Sequence, residues 1–117
     1  MNFLIVEDET DLVELYTEIV ELQGHTVIAV AANGDEAVRE FDAHRGAVDL
    51  IIMDNRMPGK TGLEAAFEIL ATGAHVKLII ASADPGVEEK AGKLGPVRFL
   101  KKPFTIDSLI ETIEKSA

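Results

Sequence analysis

Short apolar runs, rich in branched side chains, recur along the chain and are separated by longer amphipathic segments. The runs cover residues 3–6, 26–30, 50–53, 78–81 and 97–100. Runs as short and as apolar as these are typical of strands that are buried on both faces of a parallel sheet. The pattern therefore predicts five buried β-strands.

The segments that follow these runs carry apolar residues at helical spacing. The apolar positions are Leu12, Tyr16, Ile19 and Val20; Ala37, Val38 and Phe41; Leu63, Ala66, Phe67 and Leu70; and Ile106, Leu109, Ile110 and Ile113. Side chains three or four residues apart share one face of a helix, so each segment presents an apolar stripe to a core. Residues 85–94 form a shorter segment with few apolar side chains, interrupted by Gly92, and are predicted to be the weakest helix.

Capping signals support two of the predicted helix starts. Asn33 precedes Glu36, and Thr61 precedes Glu64, at the three-residue separation of a capping box. Strands that alternate with helices in this way predict an α/β fold, a five-stranded parallel sheet with helices on both faces, because right-handed crossovers place a helix between successive strands. In such a sheet, ligands bind beyond the carboxyl ends of the strands, where the strand order reverses.

The balance of charge narrows the classes of partner. The chain has 21 acidic and 11 basic side chains and a net charge of −10. This charge repels phosphate backbones and anionic bilayers, so direct binding to nucleic acid or to a membrane is not expected. Residues 1–54 hold thirteen acidic and two basic side chains, whereas residues 55–117 hold eight and nine. The two halves are therefore expected to face different partners.

Cysteine content and length indicate the kind of protein. The chain has no cysteine, which excludes disulfides and thiolate metal sites. Its first apolar run is too short for a membrane span or a signal-peptide core. With 117 residues, 47% of them hydrophobic, the chain can bury one core. We therefore expect a cytoplasmic protein with a single domain, residues 1–117.

Polar residues follow four of the five predicted strands. Glu7 and Asp8 come after the first run, Asp54 after the third, Ser82 after the fourth and Lys102 after the fifth. Taken singly, the acidic run is more often a solvated loop, and Asp54 is equally well a helix cap or a turn former. If the strand ends share one edge, however, the carboxylates repel each other unless a cation compensates them. Magnesium suits this inventory, because it prefers oxygen ligands.

Three motifs, in this order and spacing, resemble the receiver domain of two-component response regulators. They are FLIVEDE at residues 3–9, IMDNRMPG at residues 52–59 and FLKKPF at residues 99–104. The resemblance spans nearly the whole chain and implies a flavodoxin-like doubly wound (βα)5 fold. Because the chain ends soon after the last predicted helix, we expect a stand-alone receiver of the chemotaxis or phosphorelay type.

The resemblance assigns roles in metal binding and phosphorylation. It implies that Asp54 is the phosphoacceptor and that Mg2+ is the cofactor. By the same resemblance Asp8 binds the ion directly, Glu7 binds it through water, and the backbone carbonyl of Arg56 is a further protein ligand. The acidic pair is Glu-Asp where the family more often has Asp-Asp, a change that keeps the chemistry.

The resemblance also assigns a switch. Lys102 resembles the family's lysine that pairs with the phosphoacceptor at rest and with a phosphoryl oxygen afterwards, and the family commonly has a cis peptide bond before the position of Pro103. Ser82 matches the hydroxyl residue that binds the phosphoryl group. Phe99 matches the aromatic residue that turns inward when the active conformer is populated.

These roles imply a signalling protein rather than an enzyme with an outside substrate, although it would catalyse its own phosphoryl transfer and dephosphorylation. The expected partners are a histidine kinase or phosphotransfer protein and a downstream protein that binds the face formed by the C-terminal helices. Basic residues near that face are either part of the partner site or a scatter of solvated charges. They are Lys90, Lys93, Arg98 and Lys101.

Three alternatives fit less well. A phosphorylation-independent interaction module of the same fold would have a decayed site, yet Asp8, Asp54, Ser82 and Lys102 are all present. A phosphatase of the haloacid-dehalogenase type needs a second Asp where this chain has Arg56. A flavin-binding module needs Ser, Thr and Gly at the strand ends to cradle a phosphate, and the chain has acids there.

Overall fold

The computed structural model describes residues 1–116 and has alternating strands and helices. The strands are β1 (Asn2–Val6), β2 (Thr26–Ala31), β3 (Leu50–Asp54), β4 (Lys77–Ser82) and β5 (Val97–Lys101); the helices are α1 (Thr10–Leu22), α2 (Gly34–Ala43), α3 (Gly62–Ala71), α4 (Pro85–Gly92) and α5 (Ile106–Ser116). Each predicted run is present as a strand that is one residue longer at one or both ends. As a result, Asp54 and Ser82 are the last residues of their strands instead of following them.

All five strands are parallel and lie in the order β2-β1-β3-β4-β5. This is the flavodoxin-like arrangement, and its order reverses between β1 and β3. The register keeps the carboxyl ends of neighbouring strands level. Val6 pairs with Met53, and Asp54 pairs with Ala81. The residues that end β1, β3 and β4 therefore meet at one edge of the sheet.

Alternate residues of each strand face opposite layers of helices. Leu4 and Val6 pack with α2, α3 and α4, whereas Phe3 and Ile5 pack with α1 and α5. Side chains of a strand alternate with a period of two, so a strand buried on both faces needs an unbroken apolar run. This explains why all five residues of β3 are buried. The prediction of helices on both faces is confirmed.

The two capping signals differ in outcome. At α3 the capping box is complete: the Thr61 hydroxyl accepts from the Glu64 amide (3.2 Å), and the Glu64 carboxylate accepts from the Thr61 amide (3.0 Å). At α2 the Asn33 side chain accepts from the Glu36 amide (2.9 Å), but the Glu36 carboxylate binds the Asn33 carboxamide instead of its backbone. Asn33 is thus a helix cap without the reciprocal bond.

Helix α4 is short, as predicted. It has eight residues and buries only Val87 and Ala91, so little apolar area holds it to the sheet. Gly92 is its last residue and does not interrupt it, since the helix ends before the predicted limit at residue 94. Within residues 1–116, no helix combines the length and apolar character needed to cross a bilayer.

Candidate functional site

Asp54 lies at the carboxyl end of β3 and is almost completely buried. Only 4% of its surface is exposed. The Lys102 ammonium donates to Asp54 Oδ1 at 2.6 Å. Lys102 reaches this position from the segment after β5, where its backbone amide donates to the Ser82 carbonyl (2.9 Å) and its peptide bond to Pro103 is cis. A buried carboxylate needs such a partner, because desolvation otherwise disfavours its charge.

Glu7, directly after β1, is also buried, with 3% of its surface exposed. Its Oε2 accepts from the backbone amides of Asp8 and Glu9, both at 3.1 Å. Its Oε1 lies 3.7 Å from the Lys102 ammonium and has no hydrogen-bond partner among the described residues. Burial, with a smaller contribution from the negative charge of Asp54, raises the pKa of Glu7 to about 7. The negative charge on Oε1 of this carboxylate is therefore poorly compensated.

The two acidic residues that follow β1 and the one that ends β3 form a compact cluster. Glu7, Asp8 and Asp54 each offer a carboxylate oxygen, and these oxygens lie within 4.8 Å of one another. Glu7 and Asp54 are buried, whereas Asp8 is exposed at the mouth of the cleft. An all-oxygen cluster with an unpartnered buried Oε1 on Glu7 fits a hard divalent cation such as Mg2+. The donor set predicted from the strand ends is thus brought together.

The remaining predicted residues lie in or near the same cleft. Arg56 and Ser82 line it together with the acidic cluster and Lys102. The Ser82 hydroxyl, at the last residue of β4, accepts from the Asp84 amide at 3.0 Å and so contacts the start of the β4–α4 loop. Phe99 does not line the cleft. It is half-buried in β5 and packs against the core on the side of α2, α3 and α4.

Two neighbours of the site were not assigned any role from the sequence. Tyr16 was predicted only as a core residue of α1, and it is fully buried. Burial, then the negative charges of Glu7 and Asp54, raises the pKa of its phenol, and its ring stacks on Phe104 at 5.7 Å. Asn55 lines the cleft between Asp54 and Arg56. A tyrosine within an aliphatic stripe, and an amide directly after an apolar strand, are the signals that could have drawn attention to them.

Comparison with known proteins places the chain in a family. Residues 3–114 match the family model described as the response regulator receiver domain. The chain is 35% identical over 119 aligned positions to the chemotaxis protein CheY of Listeria monocytogenes, covering 100% of this chain and 98% of the relative. It is also 35% identical over 112 positions to the transcriptional regulatory protein PdtaR of Mycobacterium tuberculosis, covering 95% of this chain and 54% of that protein.

The fold has close counterparts among solved structures. The CheX-CheY-BeF3-Mg2+ complex from Borrelia burgdorferi contains a chain with a TM-score of 0.91 and 25% identity, and the match covers 98% of this chain and 87% of that chain. The chain belongs to the response regulator receiver domain family of two-component systems. Members of this family are signalling proteins, which agrees with the prediction made from the three motifs.

Proposed function

We propose that this protein is a phosphoacceptor switch that acts in the cytoplasm as a single receiver domain. It takes a phosphoryl group onto Asp54, with Mg2+ as cofactor, from a histidine kinase or a phosphotransfer protein. The observation that carries the proposal is the meeting, in one cleft, of the buried Asp54, the Lys102 ammonium at 2.6 Å and carboxylate oxygens within 4.8 Å. The arrangement places a cation directly beside the carboxylate that would act as nucleophile.

The transfer follows from these groups. One oxygen of the Asp54 carboxylate attacks phosphorus in line with the phosphohistidine nitrogen. The new P–O bond forms while the P–N bond breaks. The electron pair of the P–N bond stays on the histidine nitrogen, which gains a proton. Positioning and charge neutralisation carry most of such a reaction. Lys102, held close to Asp54, can pair with an oxygen of the arriving phosphoryl group.

The metal would be held by the acidic cluster and by one backbone group. Asp8 and Asp54 would bind it directly, Glu7 through water, and Arg56 through its carbonyl. When bound, Mg2+ supplies positive charge that offsets the approach of one anion to another. Glu7 keeps its carboxylate in place through two backbone amides, those of Asp8 and Glu9.

Magnesium should raise the melting temperature of the wild-type protein, and Asp8→Ala should remove this gain. The ion binds the folded cluster and not the unfolded chain, so an ion concentration 100 times the dissociation constant contributes about 2.7 kcal/mol. The measurement is thermal unfolding with and without Mg2+ at constant ionic strength. Asp11→Ala, in the exposed first turn of α1, is the matched control and should keep the gain. Identical wild-type curves with and without the ion would contradict the metal site.

Signal output would follow from movement at the edge of the sheet. Ser82 would turn toward the phosphoryl group and draw the β4–α4 loop inward, and Phe99 would then move into the space released. Four basic side chains, all exposed, lie on α4, directly after it or on β5: Lys90, Lys93, Arg98 and Lys101. We propose that this side of the molecule, together with α5, binds a downstream protein. The weak attachment of α4 supports a change of shape there.

The direct test is phosphorylation by a small phosphodonor with Mg2+, followed by intact-mass measurement and amide spectra. One added phosphoryl group, with amide shifts at Asp54, Ser82 and Phe99, would support the proposed switch. Removal of the phosphoryl group over time, without any added protein, would support self-catalysed dephosphorylation. No mass gain with any donor would overturn the proposal and favour the phosphorylation-independent interaction module.

A further inference from the structure

Asn55 joins three elements of the fold directly beside the phosphoacceptor. Its backbone amide donates to the Ala81 carbonyl of β4 at 3.1 Å, and its backbone carbonyl accepts from the Gly62 amide at 3.0 Å. Its side-chain Oδ1 accepts from the Leu63 amide, also at 3.0 Å. One residue therefore ties the end of β3 both to β4 and to the first turn of α3.

The first turn of α3 also touches the backbone of the phosphoacceptor. A Cβ atom at Gly62 would lie 2.5 Å from the Asp54 carbonyl oxygen and 2.8 Å from Asn55 Cα. The loop between β3 and α3 thus starts and ends at the same place, with Asn55 closing it. Backbone bonds hold the loop where its ends meet, but among residues 1–116 the Leu63 amide has its acceptor in the Asn55 side chain.

We propose that the Asn55 carboxamide is a positioning residue for the metal site. Arg56 comes next in the chain, and its carbonyl is the backbone ligand assigned in the proposed function, on which this inference rests. By fixing the β3 end against α3, Asn55 limits the directions that the Arg56 peptide unit can take. Groups that orient a metal ligand, without binding the metal, commonly alter its affinity 10-fold to 100-fold.

Asn55→Ala should weaken Mg2+ binding about 10-fold, measured by calorimetric titration of the unphosphorylated protein. Hydrogen exchange of the Leu63 amide should become faster, because that amide loses its acceptor. Asn55→Asp keeps an acceptor oxygen at the same place and should bind Mg2+ at least as tightly as the wild type. A weakened affinity in Asn55→Asp would overturn the inference.

Asn33→Ala is the matched control. Asn33 is also half-buried, and its side chain also accepts from a helix-start amide, that of Glu36 at 2.9 Å. Both alanine variants should lower the melting temperature of the metal-free protein by a few degrees. Only Asn55→Ala should change the dissociation constant for Mg2+. An equal loss of Mg2+ affinity in both variants would mean a general effect of losing a helix cap, and would overturn the positioning role.

The outcome separates this inference from the proposed function. If Asp8→Ala weakens Mg2+ binding and Asn55→Ala does not, the metal site stands and the role of Asn55 is wrong. If the wild-type protein binds no Mg2+, the proposed function fails and this inference fails with it. Should Asn55→Ala unfold, Asn55→Leu, which has a similar shape and no acceptor oxygen, takes its place, and a wild-type Mg2+ affinity in that variant would also overturn the inference.

Discussion

Asp54→Asn should take up no phosphoryl group from a small phosphodonor in the presence of Mg2+, under conditions in which the wild-type protein is phosphorylated. In the proposed reaction the Asp54 carboxylate oxygen is the nucleophile, and a neutral amide oxygen cannot form the acyl phosphate. The measurement is intact mass after incubation with the donor. Asp107→Asn, in the exposed first turn of α5, is the control and should be phosphorylated as the wild type is.

The same substitution should leave the fold in place, which separates loss of chemistry from loss of structure. Asparagine has nearly the volume of aspartate and can still accept from the Lys102 ammonium through Oδ1. It also removes one of the carboxylates whose oxygens lie within 4.8 Å of each other. The circular dichroism spectrum should be unchanged. Phosphoryl incorporation in Asp54→Asn, at Asp8 or elsewhere, would contradict the assignment of the phosphoacceptor.

Gly62→Ala should strongly destabilise the protein although it replaces the residue with a better helix former. The added methyl group would lie 2.5 Å from the Asp54 carbonyl oxygen and 2.8 Å from Asn55 Cα, well inside normal contact distance. Both neighbours are backbone atoms and cannot rotate away, so α3 or β3 must shift. Overpacking of this kind costs about 3 kcal/mol, which is roughly a 10 °C fall in melting temperature.

Gly92→Ala is the control for Gly62→Ala. Gly92 is also helical, at the end of α4, but a Cβ atom there would meet no atom within 4 Å apart from its chain neighbours and the backbone of its own helix. Its substitution should raise stability by up to about 1 kcal/mol, because alanine loses less backbone entropy on folding. The measurement is urea unfolding of both variants. A Gly62→Ala protein as stable as the wild type would show that α3 moves away from Asp54 at little cost.

Much of the fold could be predicted because its signals are local. The run at residues 50–53 is apolar at every position, which for so short a run is typical of a strand buried on both faces. The site could be predicted by one further step of reasoning. Parallel strands have their carboxyl ends at one edge of the sheet, so Asp8, Asp54 and Lys102 had to lie close to each other. The exact strand ends were not predicted: the predicted run ends at residue 53, whereas Asp54 is the last residue of β3.

The supporting contacts could not be predicted, because they depend on distances between parts of the chain that have no common pattern. Nothing in the local sequence shows that Gly62 lies against the Asp54 carbonyl, since seven residues of loop come between them. The same holds for Asn55, whose bond to Leu63 exists only once that loop has closed. The high pKa of Glu7 arises from burial and from Asp54, both of which are properties of the assembled cleft.

The middle of the sheet and its edge differ in how freely their residues can change during evolution. All five residues of β3 are buried, whereas β5 buries only Leu100 and α4 buries two residues. Substitutions on the outer surface of α4 and β5 therefore leave the packing around Asp54 intact. If this surface binds the downstream protein as proposed, a lineage can exchange it while it keeps the chemistry unchanged, and a protein engineer can redirect the output of this domain in the same way.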